Sequence, residues 1–205
     1  MMGTSVQGEV KSSEMKSPLG PLVSGRSCGE CTACCSVPEI DFPELKKPAR
    51  VLCQHSSGTG CGIYDHRPAG CRDFYCVWRH IEAMPDRTRP DQLGMMFVLR
   101  AEDRPKTVFE NLYIVGWPVE TPDVMSKPDV QRSLAMFARD IFPVFVQWEG
   151  QSTLLYPDKT LAWAITDMDA VRDPALKARA DKWLRDYAPY ARIQAGDKVL
   201  LPPGY

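Results

Sequence analysis

The stretch Cys28-Gly-Glu-Cys31-Thr-Ala-Cys34-Cys35 opens a block that holds all eight cysteines of this chain, the others being Cys53, Cys61, Cys71 and Cys76. Thiols concentrated in one segment serve either as disulfide pairs or as ligands to metal, and that choice decides how the segment folds. Disulfides persist in oxidising compartments and staple short secreted domains. This chain begins MMGTSVQGEVKSSEMKS, with neither an apolar run of signal-peptide length nor a small-residue cleavage site. No stretch approaches the roughly 18 to 20 apolar residues of a membrane helix. The expectation is a cytoplasmic protein with reduced thiols and no membrane partner.

The spacing favours metal. A C-x2-C turn points two sulfurs to one side, and structural zinc sites use that knuckle to close a tetrahedron with Zn–S near about 2.3 Å. Cys28/Cys31 and Cys31/Cys34 both qualify, which overfills a single knuckle. Cys35 follows Cys34 directly, and adjacent side chains diverge in extended chain, so the pair implies two metal sites or one polynuclear cluster. The ferredoxin run C-x2-C-x2-C-x3-C-P is matched only at its first three cysteines, since Ser36 and Val37 follow Cys35. Cys28-Gly-Glu-Cys31 is formally C-x-x-C, but no buried strand precedes it as a thioredoxin-type site requires.

Charge and composition exclude other classes. The 205 residues carry 25 Lys and Arg against 26 Asp and Glu, and 44% are hydrophobic, as in an ordinary globular protein. A near-zero net charge gives no general attraction to nucleic acid, and the arginines from Asp65 to Lys106 are interleaved with acids.

Three zones follow from the pattern. Residues 1–24 are polar and aperiodic and read as a mobile tail. Residues 25–85 form a cysteine-rich module with Gly29, Gly58, Gly60, Gly62 and Gly70 among the thiols, where glycine permits tight turns. Asp86–Pro90 reads as a linker, and residues 86–205 as an α+β region. There, 94–100 and 107–115 read as strands, and Ser126-Lys-Pro-Asp129 as the capped start of a helix with Val130, Leu134, Phe137 and Ile141 on one face. Residues 144–148 and 152–156 read as a hairpin and 161–165 as a further strand. Asp173-Pro174 starts a last helix burying Leu176, Ala180, Trp183, Leu184 and Tyr187. The fold class is α+β: the cysteine-rich module, then a small antiparallel sheet with covering helices.

The segment Cys61-Gly-Ile-Tyr-Asp-His-Arg67-Pro68-Ala-Gly-Cys71-Arg72 completes a longer pattern. With Cys28, Cys31, Cys34, Cys35 and Cys53 upstream, it resembles the CxxCxxCC family of zinc- or iron-chelating proteins, also called YkgJ-like. The matching positions are those five cysteines with Cys61, Ile63, Tyr64, Arg67, Pro68, Cys71 and Arg72, about a quarter of the chain. The resemblance implies a metal-chelating bacterial protein. Some members are linked to flagellin lysine methylation, but no glycine-rich cofactor loop follows a strand here, so that activity is not carried over.

The candidate metal ligands are Cys28, Cys31, Cys34, Cys35, Cys53, Cys61, Cys71 and Cys76. Zinc is the expected metal, with iron or an Fe–S cluster as the alternative. Arg67 and Arg72 suit the net negative charge of a tetrathiolate site, or else pair with Asp65 and Asp73. Pro68 reads as the first turn of a helix running to Met84, with Cys71, Phe74, Trp78 and Ile81 on one face and Cys76 on another. His55 and His66 are secondary candidates, and His80 reads as a surface or packing residue. Beyond His80 there is neither cysteine nor histidine, so the late region supplies no thiophilic ligand. Trp117, Trp148 and Trp163 read as core aromatics. The expected role is metal binding, as a scaffold or a metal handler; an Fe–S-dependent oxidoreductase or protein-modifying enzyme is the other reading.

Overall fold

In the computed structural model, which describes residues 19–195 apart from 73, 75 and 103, with side chains as far as Tyr190, the cysteine zone holds only short elements. These are helix α1 (Ala33–Ser36), the hairpin of β1 (Ile40–Phe42) and β2 (Leu45–Lys47), and helix α2 (Ala69–Arg72). Helix α3 (Pro90–Leu93) and strands β3 (Met95–Arg100) and β4 (Tyr113–Pro118) follow. Then come α4 (Pro128–Arg139), β5 (Val144–Trp148), β6 (Gln151–Tyr156), α5 (Lys159–Thr166) and α6 (Pro174–Ala195).

The order strand, strand, helix, hairpin, helix agrees with the sequence expectation, and the class is mixed α+β. The sheet departs from that expectation in one respect. Its order is β3-β4-β5-β6, and β4 pairs with β5 in parallel rather than antiparallel. The cause is the connection: a turn at Pro122–Ser126 and helix α4 carry the chain back across the sheet, as a parallel pair requires. The antiparallel expectation is met by β3/β4 and β5/β6, and β1/β2 is a further antiparallel pair inside the cysteine zone.

Alternation along β3 and β4 sets the layers. Met96 stands opposite Trp117 and Val98 opposite Val115; these four, with Tyr113, pack against Ala33, Val37, Cys31, Cys34, Phe74 and Cys76. The intervening residues Met95, Phe97 and Ile114 face the other way, onto Trp78, Met84, Val130 and Phe137. The sheet therefore carries the cysteine zone on one face and α4 on the other. Phe97 meets Phe137 of α4 edge-on at 5.0 Å between ring centres. Gly116 makes this face close-packed, because a Cβ there would lie 2.4 Å from Met95 Cε. At the β6 end, α5 and α6 bury Leu161, Ile165, Trp183, Leu184 and Tyr187 in a separate cluster with Phe109. The Tyr187 hydroxyl closes that cluster, donating to Leu112 O at 2.7 Å and accepting from Leu112 N–H at 2.9 Å.

Several local expectations are corrected. Residues 161–165 lie in helix α5, not a strand, because Asp158 Oδ1 accepts from the Thr160 and Leu161 N–H groups and caps a helix there. Helix α4 begins at Pro128, and Ser126 closes the preceding turn by donating to Asp123 O. Ile141 falls beyond that helix, in a left-handed conformation. The helix expected from Pro68 to Met84 stops at Arg72; Cys76 instead bridges to Val98 of β3, and Val77–Arg79 make a single 3-10 turn. Pairing with the sheet edge outcompetes continuation of the helix. Asp86–Pro90 is ordered by a 3-10 turn and an Arg89–Asp91 ion pair at 2.7 Å, with Thr88 buried. Of the expected tail, residues 1–18 lie outside the described residues. Residues 19–24 are attached: Leu19 packs on the core and Val23 N–H donates to Arg79 O at 2.8 Å. Trp117 is buried, Trp148 is half-buried beneath the Arg50 guanidinium at 3.6 Å, and Trp163 is exposed on α5. Among the described residues, no helix is long and apolar enough to cross a membrane.

Candidate metal centre

All eight cysteines line one cavity of about 350 Å³ between the sheet face and the loops of residues 22–79, and all eight are free thiols. Each arrives by a different local route. Cys31 N–H donates to Cys28 O at 3.0 Å, which folds the first C-x2-C into a turn. Cys34 and Cys35 lie on α1, where successive side chains are about 100° apart. That rotation sends Cys34 toward the sheet, beside Met96 and Val98, and Cys35 toward the β1–β2 hairpin, beside Ile40 and Leu45. Cys53 N–H donates to Cys35 O at 2.9 Å, and Cys61 is turned inward by its bridge to Ser56. Cys71 rides on α2, which is seated against the hairpin because Gly70 has no Cβ; one added there would lie 2.2 Å from the Phe42 ring. Cys76 is held by its bridge to Val98.

The charges around the thiols divide along the same line. Cys34 donates to Cys35, and this hydrogen bond raises the Cys34 pKa above the thiol range, helped by burial and by Cys35, Cys28 and Cys31. The same bond, with the positive charges of Lys47 and Arg67, draws Cys35 down to about 7. Burial pushes Cys76 up to about 11, and the thiols acting on it are Cys28 and Cys31. Burial also raises Cys71, and the thiols acting on it are Cys53, Cys35 and Cys61. Cys31 is raised by burial, against N–H donors from Ala33 and Asp91 that favour the thiolate.

Three charged residues complete the site without having stood out in the sequence. Lys47 is only 6% exposed, and its Nζ donates to the carbonyls of Ser36, Pro38 and Pro48 at 3.1, 2.6 and 2.9 Å. Burial lowers its pKa, against the opposing pull of Cys53, Cys35 and Cys34. Period-two alternation in Leu45-Lys46-Lys47 was the available signal, since it turns Lys47 to the side of Leu45 and Lys46 to solvent. Arg79 Nη1 donates to Cys28 Sγ at 3.3 Å, and its Nε is buried without a partner. Asp91 accepts from the Cys31 thiol and is held below the usual carboxylate range by Arg89.

Of the other residues singled out in the sequence, Arg67, Arg72 and His55 line the cavity. Arg67 stacks on Tyr64 at 3.7 Å and donates to Tyr64 O. His66 is exposed on the turn Tyr64–His66, and His80 is buried with Nδ1 2.8 Å from Gly20 O. Asp73, a candidate partner of Arg72, lies outside the described residues.

The donor chemistry fits a thiophilic metal: soft sulfur ligands, cationic side chains and backbone N–H groups aimed at sulfur. The thiols are gathered but not closed. Among the described residues, no group of three or more His, Cys, Asp or Glu side chains is arranged to hold an ion as it stands. No family model matches the chain, and neither a curated protein nor a solved structure is significantly similar to it.

Proposed function

We propose that this protein binds zinc or iron through its cysteine cluster and uses the metal to organise residues 25–85 on the sheet, as a structural scaffold or a metal handler. The observation that supports it is the convergence of every cysteine in the chain on one cavity from five separate stretches of backbone. Thiols distributed for packing alone have no reason to converge. The cationic groups Lys47, Arg67 and Arg79 beside the sulfurs match the negative charge that thiolates bring to a metal. The resemblance of the cysteine pattern to the CxxCxxCC family points the same way.

Elemental analysis and a visible spectrum of protein purified without chelator or added metal test the proposal. Bound zinc leaves the protein colourless, whereas an Fe–S cluster makes it brown and favours the redox-enzyme reading. Chelation should release amide protection across residues 28–76 first, since structural zinc supplies about 10 to 16 kcal/mol of apparent binding energy. Metal-free protein whose amides stay protected over that stretch would overturn the proposal.

A further inference from the structure

We infer that the eight thiols form two separate four-cysteine sites, Cys28/Cys31/Cys34/Cys76 against the sheet and Cys35/Cys53/Cys61/Cys71 beneath the β1–β2 hairpin, each taking one thiophilic divalent ion. The inference rests on the metal-binding reading and deepens it. Packing separates the sulfurs first. Cys31, Cys34 and Cys76 belong to the cluster built on Met96, Val98 and Val115, whereas Cys35, Cys53 and Cys71 belong to the one built on Ile40 and Leu45. Cys28 joins the first set through its turn with Cys31 and through Arg79, whose Nη1 donates to the Cys28 sulfur at 3.3 Å and whose backbone N–H donates to Cys76 O at 3.0 Å. Cys61 joins the second through Ser56, which bridges to it and whose N–H donates to Cys53 O at 2.9 Å. The two sets meet at Cys34 and Cys35, which are adjacent on α1.

Each set draws on both ends of the cysteine segment. The first takes three ligands from Cys28–Cys34 and returns for Cys76; the second starts at Cys35 and returns for Cys71. Neither half of the segment alone has enough correctly placed ligands for two sites, so the two ions pin the segment closed at two levels. Arg79 stands at the first set and Arg67 at the second, while Lys47 acts on Cys53 and Cys35 of the second and also on Cys34 of the first. Binding releases each remaining thiol proton to the buffer and leaves a tetrathiolate whose negative charge these groups offset.

The test uses the full-length chain loaded with zinc, with metal counted per chain in wild type, Cys28→Ser and Cys61→Ser, and every cysteine scored for alkylation by mass spectrometry. Wild type should hold two ions and each variant one. Cys28→Ser should expose Cys31, Cys34 and Cys76 to alkylation while Cys35, Cys53, Cys61 and Cys71 stay protected; Cys61→Ser should give the complementary pattern. A single ion or one polynuclear cluster in wild type overturns the partition and leaves metal binding intact. So does exposure of Cys53 or Cys71 in a folded Cys28→Ser protein. Freely alkylated, metal-free wild type overturns both. If the variants fail to fold, cadmium-113 resonance of wild type decides instead: two equal tetrathiolate signals support the partition, and one signal overturns it.

Discussion

Replacing Lys47 with methionine isolates a buried charge that serves both the hairpin and the second thiol set. Methionine preserves most of the apolar stem and removes the ammonium group, leaving the carbonyls of Ser36, Pro38 and Pro48 without their donor. A hydrogen bond to a charged group contributes about 1.5 to 3 kcal/mol. Three that share one charge, on a side chain whose burial already carries a desolvation cost, do not add in full, so the net loss should be about 3 kcal/mol. With a urea m-value of about 2 kcal/mol per molar, the unfolding midpoint should fall by about 1.5 M. Metal affinity provides a second, independent readout. Loss of a group that orients or neutralises ligands costs 10- to 100-fold, and the loss should fall on the ion held by Cys35, Cys53, Cys61 and Cys71. The ion at Cys28, Cys31, Cys34 and Cys76 should lose less, since Cys34 acts on Lys47 more weakly than Cys53 and Cys35 do. Chelator competition measures this, and Lys46→Met is the control, since Lys46 is exposed and pairs with Asp41 at 2.8 Å. Should Lys47→Met match that control in both urea midpoint and chelator competition, the argument from burial and charge is wrong.

Three further outcomes are expected. Gly70→Ala should cost about 1 to 3 kcal/mol by overpacking and weaken the ion bound through Cys71, and Phe42→Leu in the same chain should restore part of both, read by urea unfolding and metal content. Tyr187→Phe should destabilise the α5–α6 cluster by about 1 to 3 kcal/mol, because the donor and acceptor of Leu112 both lose their partner, while metal content stays unchanged. Arg87 and then Arg132 lower the Asp129 pKa, so its stabilising contribution is complete above the ordinary carboxylate pKa of about 3.9 and fades as pH falls through the depressed folded value. Asp129→Asn should therefore lower the urea midpoint at pH 7 by more than at pH 2, and an equal difference at both would contradict the ion-pair account.

The chain itself made the thiol-rich segment legible, because ligand type and C-x2-C spacing are local properties. It also made strands β3 and β4 and the apolar faces of α4 and α6 legible, because short runs rich in Val, Ile and aromatics and a period of 3.6 are local properties. Residues 161–165 were misread since Leu161, Ala164 and Ile165 form a short apolar run that suits either period, and only the Asp158 cap separates them. Strand direction could not be read locally, because the parallel β4/β5 pair depends on where α4 returns the chain. The same limit applies to the candidate site. That Cys34 and Cys35 leave the backbone about 100° apart follows from helix stereochemistry alone. Which distant thiols each one meets follows from the Cys76–Val98 bridge, the seating of Gly70 on Phe42 and the burial of Lys47, all contacts between stretches far apart in sequence. Local preference has no access to such contacts, because they form only when the sheet face and the hairpin enclose a common space.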